Sequence, residues 1–328
     1  PFPVAERVGH DRFSMYAAFS VSENGVLAYD SAAASQASRL VWFDRFGKRL
    51  GSVGEPGAYF RAELSPDERR LAVDLIDPQG GNFDLWLFEL GRDISTRFTF
   101  DPRVEIYPLW SPDGSRIAFA SNREGAMDLY QKVSSGAGKD ELLLKSSNVK
   151  LPTSWSQDGR FIAYYVIDPK TRQDLWVLPL QGDRKPISFL QTEFSEQYPQ
   201  LSPDGRLIAY QSDESGRNHV YIQPFPATGA KWQVSTAGGT HPKWRRDGKE
   251  LFYLAPDRKL MAVAVKAGAS VEAAAPTPLF ETRLQPAGFQ YYAVTADGQR
   301  FLINSAGGVE VASTPRTVVL NWQAGVKR

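Results

Sequence analysis

One short pattern recurs along this chain and narrows its folding options more than any other feature. In "PLWSPDGSRIAFASNREGAMDLY", residues 108–130, a Ser-Pro-Asp-Gly turn sits between two apolar runs and carries Asp113. "AELSPDERRLAVDLIDPQGGNFDLWLF" repeats it at Asp67, "TSWSQDGRFIAYYVIDPKTRQDLWVL" at Asp158, "PQLSPDGRLIAYQSDESGRNHVYIQ" at Asp204 and "PKWRRDGKELFYLAPDRKLMAVAV" at Asp247. Weaker copies stand at Asn24 ("AFSVSENGVLAYDS") and Asp297 ("AVTADGQRFLINSA"). The seven anchors are spaced by 43, 46, 45, 46, 43 and 50 residues. A period in the mid-forties with several short strands per unit is the pattern of a β-propeller.

The repeat at Asp113 predicts four strands: "YPLW", "RIAFAS", "DLYQKV" and "ELLLKS", with "SPDG", "NREGA" and "SSGAG" as turns. Asp accepts backbone N–H groups in a tight turn, and Gly supplies the positive φ beside it. Asn24-Gly25 can do the same with a neutral acceptor, while Glu68 in place of glycine predicts a different local turn at Asp67. Trp110, Trp155 and Trp244 each stand three residues before an anchor, with Leu64 and Leu201 elsewhere, which makes them wedges between stacked blades. The anchor loops do not alternate oxygen ligands in the EF-hand manner. Nor do they have the residue between Asp and Gly that a sialidase-type box requires.

The expected fold is therefore all-β, a seven-bladed propeller of four-stranded antiparallel blades, with six or eight blades as alternatives. "PFPVAERVGHDRFSMYAAFSVSENGVLAYDS" aligns with "PTPLFETRLQPAGFQYYAVTADGQRFLINSA" almost throughout. On that alignment residues 2–8 form an outer strand completing the last blade, whose other strands fall near 289–294, 300–304 and 316–322, a 3+1 closure. Residues 1–328 are read as a single domain. The chain opens on Pro1-Phe2-Pro3 with no initiator Met, so it is expected to be an excised segment of a longer protein.

Composition removes several function classes. Net charge is +1, so no bulk field draws nucleic acid or anionic lipid. No apolar run approaches the roughly 18 residues of a membrane span. Cysteine is absent, which excludes disulfides, thiolate zinc sites and cysteine nucleophiles. Three histidines, His10, His219 and His241, lie far apart, so no metal site is expected.

The repeats resemble the WD-like repeats of TolB-type propellers, and the resemblance covers nearly the whole chain. "WFDRFGKRLGSVG", "STRFTFDP", "YIQPFP", "KWQVSTAGG", "WRRDGKELFYL", "PLFETRL" and "TVVLNWQAG" further resemble the propeller at the C-terminal end of certain bacterial serine/threonine protein kinases. That resemblance implies a sensor or interaction module outside the membrane, attached to a larger signalling protein. A cytoplasmic location stays open. The small α/β domain that precedes the propeller in TolB has no counterpart here, and seven anchors differ from six blades, so no partner contact transfers residue by residue.

Kinase motifs are missing: there is no His-Arg-Asp or Asp-Phe-Gly. "SGAGKD", 135–140, falls in a strand-connecting turn and lacks the spacing of a phosphate loop. No Gly-x-Ser-x-Gly elbow occurs, so no hydrolase nucleophile is assigned and no cofactor is expected. The expectation is a monomeric, non-catalytic domain that binds a protein, a peptide or a small ligand at one mouth of the channel. Alignment six and eight residues before the anchors, together with the loops after the second strands, places Arg61, Glu105, Tyr107, Arg123, Glu124, Glu196, Tyr198, Arg217, His241 and Tyr291 at that mouth. Two alternatives remain: a lyase or hydrolase using mouth carboxylates with a metal, and an assembly scaffold using its side surface.

Overall fold

The anchor turn folds as its chemistry requires. Asp113 accepts the Ser111 hydroxyl at 2.6 Å and the Ser115 amide at 3.0 Å, while the Ser111 hydroxyl accepts the Arg116 amide at 2.9 Å. These donors hold the Asp113 carboxyl down at about 2. The same Ser-Asp pairing recurs at Asp67, Asp158 and Asp204, with Thr295 serving Asp297 and Ser22 serving Asn24. The turn at Asp67 does not differ from the others. Glu68 adopts φ 57° and donates its N–H to the Ser65 carbonyl, as Gly114 does to Ser111. A left-handed conformation costs a residue with a Cβ about 1–2 kcal/mol, and the Glu68 carboxylate offsets it by reaching the Ala296 amide, 2.5 Å away, and Arg300.

The computed structural model describes residues 19–22, 24, 26–30, 38–76, 82–92, 94–268, 270–284, 292–306 and 316–320. They fall in two compact units, Ser38–Ser305 and a smaller one of Pro1–Ala37 with Ala306–Arg328. Strands make up every regular element described, and none is a helix.

The Ser38–Ser305 unit contains six sheets. The first runs Tyr59–Leu64, Arg70–Ile76, Phe83–Glu89, Ile94–Arg97, each strand antiparallel to the last. The second runs Glu105–Trp110, Arg116–Ser121, Asp128–Val133, Glu141–Leu144, the four strands expected from that repeat. The third uses Val149–Trp155, Phe161–Asp168, Arg172–Pro179 and Ile187–Leu190; the fourth, Glu196–Leu201, Leu207–Ser212, His219–Pro224 and Trp232–Gln233. In the fifth, Thr240–Trp244 and Glu250–Leu254 lead to Lys259–Ala267, which pairs with both Val271–Ala273 and Thr277–Glu281.

The sixth sheet joins the two ends of this unit, in the order Tyr292–Val294, Arg300–Ala306, Ser38–Asp44, Arg49–Gly57. That differs from the expected closure. The segment expected beside 300–304 was 316–322; instead Arg316–Leu320 pairs with Val26–Asp30, which also pairs with Phe19–Val21, in a three-stranded sheet of the smaller unit. The repeat anchored at Asn24 is thus divided, and the described strands form six sheets of four or five strands rather than seven alike. Ser38–Asp44 brings its own hairpin partner, turned by Asp44 accepting the Phe46 and Lys48 amides, and so completes four strands where 316–320 alone would leave three. The proposed closing strand, 2–8, lies outside the described residues.

Apolar clusters link the sheets in cyclic order. Leu85 and Phe98 of the first meet Trp110 and Phe119 of the second; Leu109 and Leu129 meet Ile162 and Tyr164 of the third. Leu175 meets Ile208 and Tyr210 of the fourth, and Val220 meets Leu251 and Tyr253 of the fifth. Phe252 packs edge-on against Phe301 of the sixth at 5.1 Å, and Leu40 and Leu302 of the sixth meet Tyr59 and Leu71 of the first. Apolar residues on both faces of each sheet explain why the strands read as nearly continuous hydrophobic runs rather than strict alternation.

Candidate functional site

The inner strand of each sheet from the first to the fifth carries a register shift at the residue six before its anchor or directly beside it. Three of these residues, Tyr107, Tyr198 and His241, take φ of 62°, 53° and 54°, and each precedes a proline. A bulge re-aims its side chain and frees backbone groups from the ladder, which suits a proline without an N–H. Neighbouring sheets satisfy the amides of Tyr107 and His241, and the Arg61 amide is satisfied within its own sheet. Asp74 accepts the N–H of Tyr107 at 2.9 Å and that of Arg61, and Gln211 accepts the N–H of His241 at 3.0 Å.

The re-aimed side chains fill the space between the inner strands. Phe60, Tyr107, Tyr165, Tyr198 and His241 form a chain of ring contacts with centroid separations of 5.7, 6.3, 5.4 and 4.2 Å. The Tyr107 and Tyr165 hydroxyls are 2.8 Å apart. The Arg61 guanidinium lies over the Tyr107 ring at 5.0 Å and donates to the Pro152 and Thr153 carbonyls, both 3.4 Å away. Burial, with Arg61 and Lys243 nearby, pushes the His241 imidazole down to about 3, so it is neutral at ordinary pH. Burial also raises the Asp74 carboxyl to about 7, against the pull of its two amide donors.

Four of the residues expected at the mouth, Arg61, Tyr107, Tyr198 and His241, are therefore brought together as packing along the inner strands. The others disperse. Glu105 is fully buried against Arg123, and burial raises its carboxyl to about 7. Arg123 also binds Asp140 at 2.7 Å and covers the Tyr130 ring at 4.4 Å. Glu196 is buried on the Thr192 and Ser212 hydroxyls. Glu124 pairs with Lys145 at the surface, Arg217 is exposed, and Tyr291 lies outside the described residues.

An open cavity of about 190 Å³ lies at the other end of the same strands, beside the anchor turns. Every inner strand contributes equivalent residues. Three before the anchors these are Leu64, Trp110, Trp155, Leu201, Trp244 and Val294; one before, Pro66, Pro112, Gln157, Pro203, Arg246 and Ala296. Near the Arg61 plug, Lys243 reaches Glu63 at 2.7 Å across the cavity. The tryptophans expected as wedges do wedge: Trp110 is 4% exposed and donates to the Glu63 carbonyl, and Trp244 donates to the Gln200 carbonyl. Their ring edges also line the cavity, and sequence reasoning missed this. The available signal was that these positions are aromatic in three repeats and all stand next to the anchors. Among the described residues, no group of three or more His, Asp or Glu side chains could hold a metal ion.

Residues 12–185, more than half of the chain, match the TolB beta propeller domain family model. The chain belongs to that family. Its fold is similar to that of the putative TolB from Agrobacterium tumefaciens, with a TM-score of 0.63 at 17% identity over 81% of this chain and 97% of that one. It is also similar to an oligogalacturonate lyase solved in complex with manganese, with a TM-score of 0.55 at 12% identity over 95% and 84%. In sequence it is 26% identical to the uncharacterized peptidase YuxL of Bacillus subtilis (strain 168) over 42% of this chain. The chain spans only 27% of the length of that relative. No described helix is long and apolar enough to cross a membrane.

Proposed function

We propose that this chain is a non-catalytic binding propeller, the sensor or interaction module of a larger signalling protein, and that it binds through the cavity beside the anchor turns. In this reading the Ser38–Ser305 unit is a six-bladed ring closed by two strands from each end. One observation carries it: equivalent residues of all six inner strands line a single open cavity, while the bulged end of those strands is filled by rings and by Arg61. A concave site with a few polar groups at the centre of a stiff scaffold is suited to recognition. The likeness of its segments to kinase-linked propellers supports attachment to a receptor-type kinase and a position outside the cytoplasm.

Capture of partners by the immobilised chain tests this. Altering the charge of the cavity rim (Arg246→Glu with Gln157→Lys, both exposed) should remove a specifically bound partner, whereas Arg217→Glu should not. Equal recovery from all three would overturn the assignment of the cavity.

A second reading, catalysis, draws support from the fold shared with the oligogalacturonate lyase over 95% of this chain. Turnover of oligogalacturonate by the purified chain with added manganese, abolished by Glu63→Gln or Lys243→Met, would favour it over the binding module.

A further inference from the structure

Two aligned positions of the repeats carry buried charge. Asp84, Asp128 and Asp174 begin the Asp-Leu-aromatic motifs of the third strands in the first three sheets, and Glu105, Lys150 and Glu196 stand eight residues before the anchors of the second, third and fourth. Each of these residues is at most 1% exposed. A buried carboxylate is costly unless a cation answers it. The protein supplies that cation to Asp84, Glu105 and Asp128: Arg97 lies 2.8 Å from Asp84, Arg123 pairs with Glu105, and Lys150 lies 2.8 Å from Asp128. The Lys150 ammonium is surrounded by oxygen, with the Asn148, Ser146 and Met127 carbonyls at 2.6, 3.3 and 3.4 Å.

Between the third and fourth sheets the sequence replaces both cations by acids. Glu196 takes the aligned position of Lys150, and Glu214 takes that of Arg123, two residues after the serine that ends the second strand. Asp174 and Glu196 stand side by side. A parallel bridge joins Gln173 to Ser195, so the residues that follow them project from the same face of strands about 5 Å apart. Only neutral groups meet them. One Asp174 oxygen accepts the Thr171 hydroxyl at 2.6 Å and the Gln191 amide at 3.3 Å; one Glu196 oxygen accepts the Thr192 hydroxyl at 2.6 Å and the Ser212 hydroxyl at 3.4 Å. The other two oxygens, Asp174 Oδ1 and Glu196 Oε2, are buried and accept nothing. Arg172 is paired with Asp213 and Lys231 with Glu214, and among the described residues neither Asp174 nor Glu196 has an ion-pair partner. Burial, with the Asp174 and Glu214 charges, pushes the Glu196 carboxyl up against the pull of its hydroxyl donors.

We propose that Asp174 and Glu196 together bind a divalent cation of the calcium class, which does between the third and fourth sheets what the Lys150 ammonium does one junction earlier. Two carboxylates match its two charges, where a monovalent ion would leave one unanswered. An all-oxygen ligand set suits a hard cation. No third His, Asp or Glu joins the pair, so neutral oxygens and water complete the shell. Calcium accepts such an irregular shell of six to eight oxygens, whereas magnesium demands a near-regular octahedron. Bound there, the ion ties the third strand of the third sheet to the inner strand of the fourth, two residues before Tyr198 and its bulge. The site uses no histidine, so the spacing of the histidines gave no sign of it.

Calcium chloride alone is the probe. The full chain, freed of metal with a chelator, is titrated at fixed ionic strength near pH 7.5 and followed by calorimetry and by thermal unfolding. Calcium at about a hundredfold excess over its Kd should raise the Tm by about 5 °C, and magnesium at the same concentration should raise it less. Asp174→Asn and Glu196→Gln keep the side-chain shapes and should each weaken calcium binding about tenfold or more. Glu124→Gln, which removes a surface acid paired with Lys145, should leave it unchanged. Glu196→Lys restores to this junction the ammonium found one sheet earlier; it should abolish the calcium response and raise the Tm above that of the calcium-free parent. A parent Tm that calcium leaves unchanged, or a response that survives in Asp174→Asn or Glu196→Gln, overturns the site. An equal response to magnesium overturns the assignment to calcium.

Discussion

The two ends of the inner strands are built from the same repeats and end up doing opposite things. At the bulged end the repeats disagree most: Arg61, Tyr107, Pro152, Tyr198 and His241 occupy one aligned position. There the differing side chains interlock and fill the space. At the anchor end the repeats agree closely, and agreement leaves an opening, because equivalent wedge residues line it without filling it, and Lys243 and Arg246 reach across to Glu63 and Pro66. Variation among repeats thus marks a packing solution here, and near-symmetry frames the cavity.

The contrast can be broken most severely at the filled end. Tyr107→Ala should cost roughly 3–5 kcal/mol, the range for a large buried ring cut to a methyl, read as a lower urea midpoint. It should leave the affinity for cavity ligands unchanged in the protein that still folds. Asp74→Ala should cost about 2–3 kcal/mol by stranding the amides of Arg61 and Tyr107; Asp74→Asn, which retains one acceptor oxygen, should lose less. The same unfolding curves measure both.

At the seam between the first and sixth sheets the effects are smaller. Glu68→Gly relieves the left-handed strain while giving up the bond to Ala296, so its stability should stay close to that of the parent. Glu68→Ala keeps the strain and loses the bond, and should be less stable than the glycine variant by about 1 kcal/mol. Equal stabilities would show that the positive φ carries no cost there.

The pH dependence sharpens the comparison further. The folded His241 takes up its proton only near pH 3, whereas the unfolded chain does so near 6.5. The unfolded state therefore holds the extra proton between those values, and this contribution to stability falls as pH falls. Asp74 and Glu105, both raised to about 7, act in the opposite sense: folded, they keep protons that the unfolded chain releases above the ordinary carboxyl range, so their contribution falls as pH rises towards 7. Subtracting His241→Phe from the parent should isolate a difference that grows from pH 6.5 down to about 3; a flat difference would place His241 in water. The smallest effect on stability is expected at the open end, where Arg246→Glu should change it by no more than about 0.5 kcal/mol.

Much of the fold was legible because it is written locally. The four strands around Asp113 and the turn in which Asp113 accepts a backbone amide both follow from neighbours a few residues apart. The Glu68 turn was misread, since a missing glycine predicts a different turn only if no distant partner offsets the strain, and Ala296 is 228 residues away. The place of the segment 316–322 was misread for the same reason. Alignment can show that two segments are alike as strands, but Ser38–Asp44 and Arg316–Leu320 are both short and apolar, and either could follow Arg300–Ala306.

From its residues alone this chain is committed to all-β repeats, to their turns and to buried strands apolar on both faces, because turn chemistry and apolar patterning act over a few residues. Only tertiary structure decided which strands share the sixth sheet, which end of the inner strands is filled and which is open. Those outcomes depend on how bulged side chains such as Tyr107 and His241 meet across sheets far apart in the chain, and on where a carboxylate such as Glu63 finds Lys243. Long-range packing chooses among local structures that are individually equally acceptable, and so it placed the candidate site where the repeats are most alike.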